Sequence, residues 1–443
     1  MRKKIQRRIL SLALPVVASS LLERAVTTAD IFLVGGLGPE PIAAVGLSQL
    51  MIFLFMSLIA GLSAGTTVVI AQLVGGRRES DAAEGALSAL WVGLAIGALM
   101  GAAGFWFRRE AAALLGAEGN LVELVDQYLF FIFLFFPVSV AVDLLSAIMH
   151  GRGDTRTPMV GIIGVNLLHF GIAYLLIYGK FGFPAMGVRG AAIAVGVSEI
   201  FGAAFLLIRA FQKQFLKTAP VRTALIRRVI HVGLPFCFDR MTQQLAQIAY
   251  ARTVLFYGTV AYAAHQVGLA IEAFSFMAGS GFAVAAVTSV GRSVGASEYE
   301  RARIENWEAN RLAVLVMSAM GILFFFFPFL LMKAFTKDLQ VIALGTLFLK
   351  VAALIQIPLA VTMVLSGSLK GAGDTRSLLA ITFVGAWLVR VPLAYYFSFV
   401  APLGVVYVWG VMVLDWYVRM AFTLARYRSE KWRNIEVIGE GNR

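Results

Sequence analysis

Charge is scarce in this chain of 443 residues: Asp, Glu, Lys and Arg together make up 14%, against roughly a quarter of an ordinary soluble domain. With 59% of the residues hydrophobic, a water-soluble globule is excluded. Cysteine is nearly absent, and the single Cys237 leaves no internal disulfide framework. The four histidines never fall at zinc-ligand spacing. No nucleotide motif, metal set or nucleophile with its base appears, so catalysis, metal centres and cofactors have no support. Acids are the minority sign, 25 against 38 bases, yet the resulting +13 does not suit a nucleic-acid partner, because the basic residues sit between long apolar runs rather than over a polar surface. A cleavable signal peptide is not expected either, since Arg2, Lys3, Lys4, Arg7 and Arg8 lead into an apolar stretch too long for an h-region.

What the chain has is apolar length. Stretches long enough to cross a bilayer, which needs about 20 residues, are predicted at 9–34, 42–74, 85–107, 122–149, 159–178, 190–211, 229–257, 262–290, 309–332, 339–368, 378–399 and 404–426. Twelve spans predict an all-α integral membrane protein. The second, fourth, eighth and tenth exceed what the bilayer core requires, so tilt, kinks or projection into the cytosol are expected. Counted with those at the span ends, the two termini and the even-numbered connections hold 26 Lys and Arg, and the odd-numbered connections hold 6. That asymmetry places both termini in the cytoplasm, for a chain in a cell inner membrane or plasma membrane.

The chain also matches itself at an offset of 220 residues. Pro15 matches Pro235, Ala43-Ala44 matches Ala263-Ala264, Gly61 matches Gly281, and Val74-Gly75 matches Val294-Gly295. The clearest pair is Gly151-Arg-Gly-Asp-Thr-Arg156 against Gly371-Ala-Gly-Asp-Thr-Arg376. Two six-span lobes, 1–220 and 221–443, both beginning in the cytoplasm, are parallel repeats, and a substrate site is expected between them. The Gly-Asp-Thr-Arg loops lack the Lys-Ser/Thr ending of a P-loop. They are read as helix stops and starts: glycine in a left-handed position, Asp or Thr capping, Pro158 in the next first turn, and Arg holding the loop in the cytosol. Gly61 with Gly65, and Gly93 with Gly97 and Gly101, are read as close helix packing.

Seven acids (Glu23, Asp30, Asp143, Glu199, Asp239, Glu272, Asp415) and six bases (Arg24, Arg240, Arg252, Lys350, Arg390, Arg419) lie inside the spans. Each costs a few kcal/mol or more against lipid, which points them to a cavity or a partner. Span 1 carries Ser19, Glu23, Thr27 and Asp30 on one helical face, and span 7 carries Asp239, Gln243, Gln247 and Tyr250, each 220 residues after its counterpart. Equivalent polar stripes in the two halves suit a cavity lined from both sides. The competing reading is local: Glu23 paired with a base, Asp239 wet near the cytosol, Asp30 at a frayed outer end. Asp30 and Glu23 are the ion-coupling candidates, because buried carboxylates exchange protons readily. Ser19, Thr27, Asp239, Gln243, Gln247, Tyr250, Glu272 and His169 are the cavity candidates, His169 being equally readable as a helix-to-helix hydrogen bonder. Asp415 and Arg419, four apart, are expected to pair, Asp143 to reach water near the cytoplasmic end, and Glu199 has no evident partner.

At these residues the chain resembles the multidrug and toxic compound extrusion family. The resemblance rests on Asp30-Ile-Phe-Leu-Val-Gly-Gly-Leu-Gly followed by Ala43-Ala44-Val45-Gly46, on Ala263-Ala264-His265-Gln266, on Ser275-Phe276-Met277, on both Gly-Asp-Thr-Arg loops and on Pro184-Ala-Met-Gly-Val188. It implies two six-helix bundles flanking a central cavity that opens alternately to either side. It also places Asp30 at the family's helix 1 aspartate, used for proton or sodium coupling, and Asp239 and Glu272 where relatives often carry acids. His169, Ala173 and Leu359 depart from the polar residues of particular branches. The implied function is an antiporter, coupled to H+ or Na+, that exports a small amphipathic, cationic organic substrate and acts as a monomer in the lipid bilayer. The alternative is a flippase for a polyprenyl-linked or other lipid, disfavoured because the paired stripes hold three acids among eight positions.

Overall fold

The computed structural model describes residues 2–114, 117–218, 220–401, 403–435 and 437–438, and among these there is no strand. Twelve long helices follow one another: α1 (Arg2–Gly35), α2 (Pro39–Gly75), α3 (Glu79–Leu114), α4 (Asn120–Gly151), α5 (Arg156–Tyr178), α6 (Val188–Gln212), α7 (Thr223–Leu255), α8 (Thr259–Gly295), α9 (Tyr299–Phe326), α10 (Leu339–Gly371), α11 (Thr375–Val400) and α12 (Val405–Arg428). Among the described residues, eleven helices are long and apolar enough to cross a membrane. The one outside that set is α7, which carries the polar stripe together with Arg227, Arg228, Arg240 and Arg252. The chain is a multi-span membrane protein of twelve helices.

The expected excess length is present. Helix α2 has 37 residues, which at 1.5 Å per residue spans about 55 Å against a hydrocarbon core of about 30 Å. Two spans depart from the expected continuity. The ninth was expected to run through 332, but α9 stops at Phe326 and a short helix, Pro328–Phe335, restarts with its proline in the first turn. Proline supplies no N–H and crowds the preceding turn, so the helix breaks there. In α11, Val384–Arg390 and Tyr396–Val400 are wound as wider π turns.

The helices group into two compact units. One, the N-unit, is Ala18–Cys237; the other, the C-unit, joins Met1–Val17 to Phe238–Arg443. The sequence repeat leads one to expect lobes meeting at 220/221; the compact units instead divide inside α1 and α7, each time two residues after the helix's internal proline, Pro15 or Pro235. In the N-unit, α4 packs on α2, α3 and α6; in the C-unit, α10 packs on α8, α9 and α12. A Cβ on Gly61 would lie 2.7 Å from the Gly233 carbonyl oxygen, and one on Gly281 2.9 Å from that of Ala13. These are repeat-related contacts, each inside one unit, in which the small residue lets its helix backbone come close to the neighbouring helix; beside Gly281 the Val17 side chain also fills the space. The α3 glycines behave as expected, since added methyls on Gly93, Gly97 and Gly101 would strike Leu144, Val140 and Phe133 of α4.

The Gly-Asp-Thr-Arg loops are helix junctions. Gly153 and Gly373 have φ of +70° and +92°, the left-handed region that glycine tolerates. Asp154 accepts from the Thr157 backbone N–H at 3.1 Å and from its hydroxyl at 2.6 Å, and Lys213 donates to it at 2.5 Å. Partial burial pushes the Asp154 carboxyl up, but the Lys213 and Thr157 bonds outweigh it and hold the group below the usual carboxylate range. Thr155 makes no side-chain cap. In the second loop Asp374 makes no cap bond and instead accepts from Arg426 at 2.6 Å.

Candidate functional site

The polar residues of the N-unit gather on the inner turns of α1, α4, α5 and α6. Asp30 lies five residues before the end of α1, and its Oδ1 sits 2.7 Å from Nε2 of His169 on α5. The imidazole is buried, while the Asp30 side chain keeps about a third of its surface, 32%. His169 also hydrogen-bonds the Ala194 carbonyl of α6 and lies within charge reach of Glu199. Glu199 accepts a hydrogen bond from Ser139 of α4. Tyr128 of α4 is buried beside Asp30 and Glu199 and is hydrogen-bonded to Gln49 of α2. Towards the other end, Ser63 of α2 donates to Asp143 at 2.7 Å, and Glu23 is within charge reach of Asp143. Ser19 is buried on the same helix. The side chain of Thr27 lies outside the described residues.

The C-unit carries a different cluster. Asp415 on α12 is wholly buried between two guanidiniums, Arg390 of α11 at 2.6 Å and Arg419 at 2.7 Å. The expected Asp415–Arg419 pair is present, and Arg390 is the member that spacing could not supply. Arg390 also donates to Gln247 of α7 at 3.2 Å, stands 5.7 Å from the Tyr250 ring and reaches Glu272 of α8 electrostatically. Tyr250 is buried and donates to the Val408 carbonyl at 2.9 Å. Arg390 and Arg419 lie 5.9 Å and 5.1 Å from the Trp416 ring, which lets an aromatic face share the desolvated charge. The backbone of α11 presses onto this pair at Gly385, where a Cβ would come within 2.3 Å of Asp415. The first π turn of α11 occupies that place. Asp239 is buried with one carboxylate oxygen lacking a hydrogen bond, and Lys370 of α10 and Arg240 supply charge beside it. Gln243 is half-buried. His265 packs edge-on against Tyr250 and Phe348 at 5.8 Å and 5.2 Å.

The structure thus joins Asp30 to His169 within the N-unit, and Gln247, Tyr250 and Glu272 to Arg390 within the C-unit. The two stripes are repeat-related in position but unlike in character. In one, four carboxylates, Glu23, Asp30, Asp143 and Glu199, accompany one imidazole; in the other, buried guanidiniums engage the stripe residues. Glu199 and Arg390 are the members of these clusters that sequence reasoning left without a role. A signal for Glu199 was available, because it stands 220 residues before Arg419, an acid in one repeat where the other has a base; Arg390 had none, since the residue 220 positions before it is Phe170.

Comparison with known proteins follows the same repeat. The MatE family model matches twice, at residues 15–175 and 235–396. The chain is 29% identical to a protein named "Probable multidrug resistance protein NorM" of Thermotoga maritima, over 98% of this chain and 95% of that one. It is 28% identical to the multidrug resistance protein MdtK of Edwardsiella ictaluri, over 88% of this chain and 87% of the other. A multidrug resistance MATE family transporter of the MOP superfamily, solved in an outward-facing conformation, shares the fold with a TM-score of 0.89 over 97% of each chain, at 22% identity. Both copies of the repeat being matched, and the helical plan with them, the chain belongs to the MatE family of multidrug and toxic compound extrusion transporters.

Proposed function

We propose that this transporter is a cation-coupled antiporter that exports amphipathic, cationic organic compounds by alternating access, with Asp30 as the carboxylate whose ion-bound and free states bias the two orientations. The observation that carries the reading is the Asp30 carboxylate: held inside a membrane helix, engaged by a single imidazole, and still partly accessible. An intramembrane acid in that setting is costly unless it is used. The acid-rich N-unit suits a positively charged substrate or ion better than an anionic lipid head, and the flippase alternative gains nothing from it. The multidrug names of the relatives support export of small organic compounds. The 26-to-6 distribution of basic residues supports cytoplasmic termini in a cell inner membrane or plasma membrane. Each polar cluster is completed by side chains of one chain, which supports a working monomer.

The test is Asp30→Asn, which keeps volume and removes the exchangeable charge. Reconstituted at equal protein and loaded with a fluorescent cationic dye, the variant should lose gradient-driven export while binding dye with near-normal affinity. A fully active, gradient-coupled Asp30→Asn would overturn the reading.

A further inference from the structure

The contact between Asp30 and His169 has a restricted acid–base composition. The imidazole hydrogen-bonds the Ala194 carbonyl, which only accepts, so one ring nitrogen there carries hydrogen. The nitrogen facing Asp30 at 2.7 Å then has two ways to make a bond. Either it carries a second proton and donates to a carboxylate, or it is a bare lone pair accepting from a protonated Asp30. Both forms hold one proton between the two residues. Without that proton, two lone pairs face each other at hydrogen-bond distance, and the contact becomes repulsive.

Three elements bring groups to this imidazole. Asp30 comes from α1, Glu199 from α6, and Tyr128 of α4 borders both acids. Asp143, also on α4, lies within charge reach of Glu199. Apart from His169 itself, the titratable groups of this cluster are acids and a phenol. The cluster therefore gathers negative charge around one imidazole. A hard metal cation is held by several oxygen donors, but here a ring nitrogen already occupies the near oxygen of Asp30. Among the described residues no three His, Cys, Asp or Glu side chains gather as a metal set.

We propose that Asp30 and His169 form a proton-operated latch between α1 and α5, that the coupling ion is H+, and that Glu199 is a second proton-accepting position of the same cluster. This deepens the antiporter reading and rests on it. In the hand-over, the N–H bond at the His169 nitrogen facing Asp30 breaks and an O–H bond forms on Glu199. The imidazolium becomes neutral, Glu199 becomes a neutral acid, Asp30 stays ionised, and the total charge of the three is unchanged. Asp30 then faces a lone pair, and the latch opens. Glu199 then releases its proton to one side, and a new proton taken up by the His169 nitrogen from the other side restores the imidazolium and closes the latch again.

The experiment compares dye export from proteoliposomes under a pH jump and under a Na+ jump at constant pH. The wild type should respond to the first and show no added export with the second. His169→Asn can still donate a hydrogen bond to Asp30 but does not titrate. It should retain folded yield and lose at least tenfold of the pH-driven rate, with a pH profile flattened relative to the wild type. Glu199→Gln removes one negative charge from beside the imidazole and should move the midpoint of the pH profile by at least half a unit towards acid. Wild-type export driven as well by Na+ as by protons overturns the proposal, as does a His169→Asn variant with the wild-type pH profile. Should His169→Asn fold poorly, Glu199→Gln decides, because it leaves the latch intact and an unchanged profile overturns the relay. Failure of the underlying antiporter reading shows elsewhere, as gradient-coupled export by Asp30→Asn.

Discussion

Neutralising Asp415 is the perturbation whose size the structure sets most directly. Its carboxylate is the one negative charge between Arg390 and Arg419, at 2.6 Å and 2.7 Å, and the three side chains are 0%, 5% and 3% exposed. Asp415→Asn preserves shape but changes the net charge of the triad from +1 to +2 in a place that water does not reach. Breaking a buried pair by removing one partner costs about 3–5 kcal/mol, a factor of roughly 10² to 10³ or more in the folded population at 1.4 kcal/mol per decade. For a chain of this size the midpoint of thermal unfolding should fall by on the order of 5 °C. The molecule carries its own reporters. Trp307, Trp387, Trp409, Trp416 and Trp432 belong to the C-unit, and the sole cysteine, Cys237, is buried at the edge of the N-unit. With Trp91 and Trp106 of the N-unit replaced by Phe, intrinsic fluorescence and a thiol-reactive dye, followed in one heating ramp, report on the two units separately. The tryptophan transition should move first, and Asp415→Asn combined with Arg390→Gln, which returns the triad to +1, should recover part of the loss. Two unchanged transitions would refute the argument. So would wild-type stability combined with lost export per molecule, which would make Asp415 a working group instead of an anchor.

Cysteines placed at Gly38 and Ala401, after removal of Cys237, should label from outside the cell, and ones at Ser80 and Thr218 only from inside; labelling of all four from one side defeats the topology. Gly153→Val and Gly373→Val force a side chain into φ of +70° and +92°, at a cost of about 1–2 kcal/mol. Gly373→Val should be the worse in folded yield, because its Cβ would also lie 2.2 Å from Val437; lost transport at normal yield would instead give the loops a direct role. Asp154→Asn should lower the unfolding midpoint at neutral pH and change nothing in strong acid. The folded carboxyl sits below its ordinary value of 3.8, so its contribution is full above that pH and disappears as pH falls through the lower, folded value; an equal effect at both extremes contradicts this.

The helices and the repeat were legible because hydropathy and a fixed offset are properties of the chain taken in order. The helix 1 aspartate was legible from its spacing and its motif. Its partner was not, since His169 is 139 residues away and becomes a neighbour only when α5 packs beside α1. The same holds for Glu199, 60 residues from Ser139, and for Arg390, 143 residues from Gln247. Each reads alone as an expensive intramembrane charge, and helical spacing finds partners only three or four positions off, as it did for Asp415 and Arg419. The break before Pro328 was written in the sequence, but a hydropathy window averages across a proline.

The division of α1 at Val17 has a consequence for how the molecule is made. Residues Ala18–Cys237 form one uninterrupted stretch of chain, so the N-unit has all of its parts as soon as the first turns of α7 emerge. The first helix begins elsewhere: Arg2 and Gln6 bond Glu308, and Arg8 pairs with Glu305. Those acids are synthesised some 300 residues later, a separation of 306 for Arg2 and Glu308, which at 5–20 residues per second is a wait of roughly 15–60 s. During that interval Arg2, Gln6 and Arg8 lack these partners. These α1 contacts thus close only once Glu305 and Glu308 have been made, and loss of Arg2, Gln6 or Arg8 would bear on assembly of the C-unit and leave the N-unit complete.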